Sequence, residues 1–159
     1  MSQFSYVTGF LFDEIGERVL LIWKKKPYWQ AGYLNGIGGH IERGETPIQA
    51  MCREFKEETG IDIQGWHHYA TLAGNNPQWA VHFFYAYSAV LNTVTNIAPV
   101  TDEIPFVGLV SNISQYRLIP NAVWLIPMAL GMRNERAGSF LIEEVPSIST
   151  QHCISGNGD

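Results

Sequence analysis

Three acidic side chains, Glu54, Glu57 and Glu58, sit at i, i+3 and i+4 within the run Arg53-Glu54-Phe55-Lys56-Glu57-Glu58-Thr59-Gly60-Ile61. On a helix that spacing puts all of them on one face. Glu54 meets only like charge at its i+3 and i+4 positions, and only Glu57 has a cation, Arg53, one turn back, so helix pairing does not account for the cluster. Two carboxylates about 5 Å apart repel by roughly 3 kcal/mol at an effective dielectric of about 20, so the group calls for a proton or a cation. Oxygen-only ligands select hard ions, Mg²⁺ or Mn²⁺, over zinc, and Mg²⁺ commonly bridges a few carboxylates to substrate phosphate oxygens. The implied substrate carries a polyphosphate. An acidic helix face is more often simply solvated; here its spacing to a preceding loop decides the matter. Gly39 is followed by five residues, Glu45, seven residues and then Arg53. Seven such polar or glycine positions, each used at about 6 to 7%, coincide at a given start less than about once in ten million.

The elements that hold these residues are legible around them. Thr46 is an N-cap, Pro47 suits the first helical position and Gly60 supplies a left-handed stop, which predicts a helix of about four turns. Ile48, Met51, Cys52 and Phe55 form its expected apolar stripe. Upstream, Phe4 to Phe12 and Arg18 to Trp23 read as strands joined by a turn at Asp13-Glu14-Ile15-Gly16. Lys24 to Gly39, with Pro27, four glycines and the aromatics Tyr28, Trp29 and Tyr33, reads as a binding loop that feeds the motif.

Downstream, Ile61 to Ala73 and Trp79 to Leu91 read as strands around an Asn75-Asn76-Pro77 turn, followed by a loop to Glu103 and a short strand from Phe106 to Val110. Asn121 to Met132 has helical spacing, with Val123, Trp124, Pro127 and Met128 towards one side, although Pro127 weakens an unbroken helix. Ser139 to Val145 is expected to close the sheet, and Pro146 to Asp159 reads as a flexible tail. The alternation indicates an α/β fold on a mixed sheet, as a single domain over residues 1–145.

Composition narrows the partners. A net charge of −5 argues against general nucleic-acid or anionic-membrane binding, and no apolar run approaches a membrane span. Local positive charge for phosphate comes from Lys24-Lys25-Lys26, a run that reads equally as a solvated strand end. Cys52 and Cys153 suggest neither a disulfide framework nor a metal knot, and the N-terminus carries no secretion signal, so a cytoplasmic location is expected. His67, His68 and His152 read as surface residues.

The span from Gly39 to Ile61 resembles the complete signature of the Nudix hydrolases, without gap or substitution. That resemblance implies an α/β/α sandwich and a metal-dependent hydrolase of phosphoric anhydride bonds. Leu34 to His40, preceded by Lys24-Lys25-Lys26 and Trp29, resembles more narrowly the oxidised-purine nucleoside triphosphate diphosphatases, the sanitising branch. Val81-His82, Thr101 to Ile104 and Pro120 to Pro127 extend the likeness over most of residues 5–145.

The resemblance implies metal binding by the Gly39 carbonyl, Glu54, Glu57 and Glu58, with Glu103 as a further ligand or water-activating base and Arg53 orienting a glutamate. It also implies that Asn35 bonds the base, that Trp29 stacks on it and that Asn121 stands at a base-reading position, with Lys25 of the basic run near phosphate. On residue type alone, Trp29 and Trp124 read equally as core, and Asn35 and Asn121 as turn or cap residues. Ala122 and Ile119 stand where that branch carries an acid and a stacking Trp. The expected reaction is Mg²⁺-dependent hydrolysis of a nucleoside triphosphate to the monophosphate and pyrophosphate. Cleavage of ADP-ribose or a related nucleoside diphosphate is the alternative, prompted by Pro77, and a non-catalytic nucleotide-sensing module is a further one.

Overall fold

The computed structural model describes residues 4–75, 77–134 and 138–145; His152, Cys153 and the tail expected from Pro146 onwards lie outside them. The described strands form one mixed eight-stranded sheet. β1 (Phe4–Phe12) and β2 (Arg18–Trp23) form the expected hairpin, antiparallel with Leu11 opposite Leu20. Asp13 closes its turn by accepting the Arg18 N–H on Oδ1 at 2.9 Å. The loop after β2 holds a 3-10 turn at Tyr28–Gln30, then β3 (Leu34–Asn35) and β4 (Ile37–His40).

β1 changes partner along one edge, pairing with β2 near its end and with β4 over Tyr6 to Gly9, where Val7 stands opposite Gly39. Its other edge runs parallel to β6 (Gln78–Tyr87), which is antiparallel to β5 (His67–Asn75). β7 (Ile104–Leu109) pairs with β2, and β8 (Phe140–Glu143) runs parallel to β5, closing that side as expected.

Helices cover both faces, as in an α/β/α sandwich. α1 (Pro47–Thr59) packs Ala50, Met51 and Phe55 on Val7, Leu11, Ile22, Trp66 and Phe84. α2 (Val90–Thr93) is one short turn that contributes Leu91 to the same cluster. α3 (Ala122–Met132) packs Ala122, Leu125, Ile126 and Ala129 on Phe10, Phe12, Tyr69 and Phe83 on the opposite face. Because odd and even residues of β1 point to opposite faces, one strand builds both clusters.

Met51 and Phe55 of the expected α1 stripe are buried and Cys52 packs against the same cluster, but Ile48, in the first turn, is 47% exposed, and Ala50 and Thr59 complete the buried line. The expected face of the other helix is corrected. In α3, Val123 and Trp124 are exposed while Leu125, Ile126 and Ala129 are buried. That helix is apolar nearly all round, so spacing alone does not select its inner face.

Candidate active site

Caps at both ends set the position of α1. The Thr46 hydroxyl accepts the Gln49 N–H, and the Gln49 side chain accepts the Thr46 N–H at 2.9 Å, a reciprocal capping box. Gly60, at φ 73°, ends the helix in the left-handed region. Arg53 then fastens the helix to what precedes it. Its Nε and Nη2 donate to the two Glu45 oxygens at 2.8 and 2.9 Å, Nη2 also to the His40 carbonyl at 2.9 Å, and Nη1 to Glu54 at 2.8 Å and Glu57 at 3.2 Å. The Arg53 guanidinium, through these bonds, holds the Glu45 carboxyl below its usual range.

The Glu54 carboxyl lies directly over Gly39, so a Cβ there would displace it, and at the neighbouring Gly38 a Cβ would run into the Val7 backbone. Glu54 and Glu58 line a cleft together with Gly38, Gly39, His40, Lys24, Lys26, Thr101, Asp102 and Glu103. Within it Glu58 Oε2 is buried and has no hydrogen-bond partner. Burial pushes the Glu58 carboxyl up to about 7, opposed by Lys24 and reinforced by Glu103, Glu54 and Glu57. Glu103 is itself buried, at 3% exposure. It accepts the Lys24 ammonium at 2.7 Å on one oxygen and the Lys25 N–H at 3.0 Å on the other.

Glu57 does not line the cleft; its side chain is 59% exposed and meets Arg53. Among the described residues no three acidic, cysteine or histidine side chains are gathered as a ready ligand set. The donor chemistry nonetheless fits a hard divalent ion: an orphaned buried carboxylate oxygen, a second carboxylate against a glycine backbone, and Glu103 across the cleft.

Lys24, Gly38, Gly39 and His40 are shared with a larger cavity of about 580 Å³ on the α3 side of the sheet. That volume lies in the range of small-ligand sites. Asn35, Trp29 and Asn121 all line it, so the structure brings the expected base-site residues together. Backbone bonds explain how: Leu34 donates to the Arg117 carbonyl at 2.8 Å, and Ile119 donates to that of Leu34 at 3.0 Å, drawing the segment before α3 beside the loop after β2. Asn121 precedes α3 but makes no side-chain cap, and its buried Oδ1 has no partner. Asn35 donates to Gln30 Oε1 at 3.3 Å and accepts the Gly36 N–H at 2.8 Å. Trp29 is 66% exposed at the rim, whereas Trp124 lines neither cavity. The Lys25 side chain is exposed and lines neither cavity; Lys24 lines both and Lys26 the smaller.

Gln30, Tyr6 and Trp79 also line the larger cavity and were not singled out from sequence. The available signal for Trp79 was strand alternation, since Trp79, Val81 and Phe83 share a face of β6 and all line the cavity. His67 and His68 are exposed as expected.

The NUDIX domain family matches residues 4–123. The oxidized purine nucleoside triphosphate hydrolase of Danio rerio is 38% identical over 73 residues, covering 43% of this chain and 46% of that protein. The Mus musculus protein of the same name is 33% identical over 103 residues, covering 58% of this chain and 65% of its own length. The matched region thus spans from about half to just under two thirds of these curated relatives. Among solved structures, MutT from a study of Aliivibrio salmonicida and Vibrio cholerae superposes with a TM-score of 0.65 at 17% identity, over 82% of this chain and 98% of the other. The NUDIX domain of Shewanella oneidensis NrtR, complexed with ADP ribose, gives 0.66 at 17% identity over 82% and 88%. At such identities the likeness is one of fold.

Proposed function

Since this chain belongs to the Nudix domain family, we propose that it is a divalent-metal-dependent nucleotide diphosphatase that hydrolyses a nucleoside triphosphate, an oxidised or otherwise modified purine among the candidates, to the monophosphate and pyrophosphate. The observation that carries this reading is the junction of two cavities: an acidic cleft with an orphaned carboxylate oxygen shares Gly38, Gly39, His40 and Lys24 with a cavity of small-ligand size. Such a junction suits a ligand with a planar ring at one end and phosphates at the other.

Glu54, Glu58, the Gly39 backbone and Glu103 would hold Mg²⁺ or Mn²⁺, with Glu57 swinging in from its Arg53 contact. When bound, the ion supplies charge neutralisation on phosphate oxygens and acidifies a water. Glu57 and Glu103 are the carboxylates we assign to accept a proton from the attacking water. Arg53 positions Glu54 and Glu57 through the bonds already described. Asn35 and Asn121 offer amide groups to a base edge, and Trp29 at the rim offers an aromatic face. Among the described residues no carboxylate lines the larger cavity, which offers neutral amides where an acid would otherwise read the base.

The decisive experiment offers the purified chain, with Mg²⁺, a panel of ordinary and oxidised triphosphates together with ADP-ribose. Pyrophosphate release from a triphosphate is the expected result. AMP release from ADP-ribose alone transfers the assignment to the diphosphate-linked class, and binding without turnover of any compound removes the enzymatic reading.

A further inference from the structure

We infer that Lys24 is a resident counter-cation of the acidic cleft, which a divalent ion must displace from Glu103 and which then turns its charge towards the ligand in the neighbouring cavity. The inference rests on the metal-dependent reading above. A carboxylate as buried as Glu103 persists in a fold only when its charge is balanced and its oxygens are bonded. Lys24 does the balancing: its Nζ is 2.7 Å from Glu103 Oε2, with side chains 13% and 4% exposed. Lys25 N–H holds the other oxygen.

Glu54, Glu58 and Asp102 line the same cleft, so this ammonium already occupies the neighbourhood in which a divalent cation would be drawn to Glu103. Two cations cannot share that carboxylate at contact distance without strong repulsion, so entry of one expels the other. Where the expelled group goes follows from the walls. Lys24 directly follows β2 and lines both cavities. Among the described residues none that lines the larger cavity is acidic, so the negative or electron-rich partner for the released ammonium there is a group on the ligand. Ion and nucleotide binding are then coupled positively through one side chain, and by linkage each strengthens the other.

The test titrates Mn²⁺ alone, without nucleotide, into the full chain and follows the free ion by electron paramagnetic resonance. Lys24→Gln and Lys24→Met remove the charge, and each should bind Mn²⁺ about tenfold more tightly than the unaltered chain, whereas Lys24→Arg keeps the charge and stays close to it. Lys24→Gln retains a donor for Glu103, which protects the fold should Lys24→Met fail; thermal melting without ion checks that each variant is folded. Tightening in a folded neutral variant is what a competing cation produces and what a merely structural lysine does not. Mn²⁺ affinity unchanged or weakened in a folded neutral variant overturns the inference alone. Absence of any Mn²⁺ binding by the unaltered chain overturns the metal reading from which it starts.

Discussion

Glu58 and Glu57 differ in surroundings although the helix places them side by side. Glu58 is pressed into the cleft with an unpartnered oxygen, whereas Glu57 lies at the solvent edge in contact with Arg53. A buried, under-coordinated carboxylate costs stability unless something else is gained, and a cation site is the gain consistent with the chemistry. For the exposed partner we expect that Glu57→Gln leaves the nucleotide KM nearly unchanged and lowers kcat by about 10²-fold or more, the usual scale for loss of a positioned acid or base. Steady-state kinetics with the best substrate of the panel check this, and kcat within a factor of a few of the unaltered chain would place the base elsewhere. Glu45 shows what a residue-scale reading missed. Its place in the motif was visible, but its work, gripping Arg53 through both oxygens, became clear only from the structure.

At the scale of elements, α1 was readable because its signals are local. Thr46, Pro47 and Gly60 each act within one turn of a helix end, and the structure has Pro47–Thr59 between Thr46 and Gly60. The cap has a measurable consequence. Thr46→Ala removes a hydroxyl that accepts the Gln49 N–H and should cost about 1 kcal/mol in denaturant unfolding; a midpoint identical to that of the unaltered chain would mean that Gln49 and solvent suffice. The loop between Lys24 and Gly39 was readable only as irregular. Its two short strands and 3-10 turn depend on β2, β1 and the Arg117–Ile119 segment, none of which is near it in sequence. The inner face of α3 was likewise undecided by spacing, because apolar residues occur nearly all round it and burial was settled by which of them meet Phe10, Phe12 and Tyr69.

Across the whole molecule, one sheet carries a core on each face, and the candidate cleft lies where β4, α1 and the segment Thr101 to Glu103 meet. No described helix is long and apolar enough to cross a membrane. The sheet also sets a pH dependence. Thr71 links His68 Nε2 at 2.9 Å to His82 Nδ1 at 3.1 Å across β5 and β6. Although His68 is exposed as a residue, its ring, like that of His82, is partly desolvated, which holds both imidazoles below the usual 6.5, and for His82 the charge of His68 adds to it. In the folded chain both therefore stay neutral at pH values where the unfolded chain takes up protons, so their contribution to stability is full above 6.5 and declines as the pH falls below it. The raised Glu58 carboxyl acts in the opposite sense over the same range, so the histidine contribution is read as a difference: between about pH 7.5 and 5.5, the stability of His82→Gln relative to the unaltered chain should rise as the pH falls, and equal slopes in the two proteins would remove these histidines from the account.

Residue order alone was enough to reveal the family, the helix that bears the glutamates and most strand positions, because a motif of fixed spacing and caps acting over a single turn need no distant partner. Tertiary structure alone decided which carboxylate is buried, that Lys24 faces Glu103 from 79 residues away, and that Gln30 and Trp79 share a cavity with Asn35 and Asn121. Those relations arise from strand order and register, which bring remote segments together, and a pattern of residue types along the chain does not encode them locally.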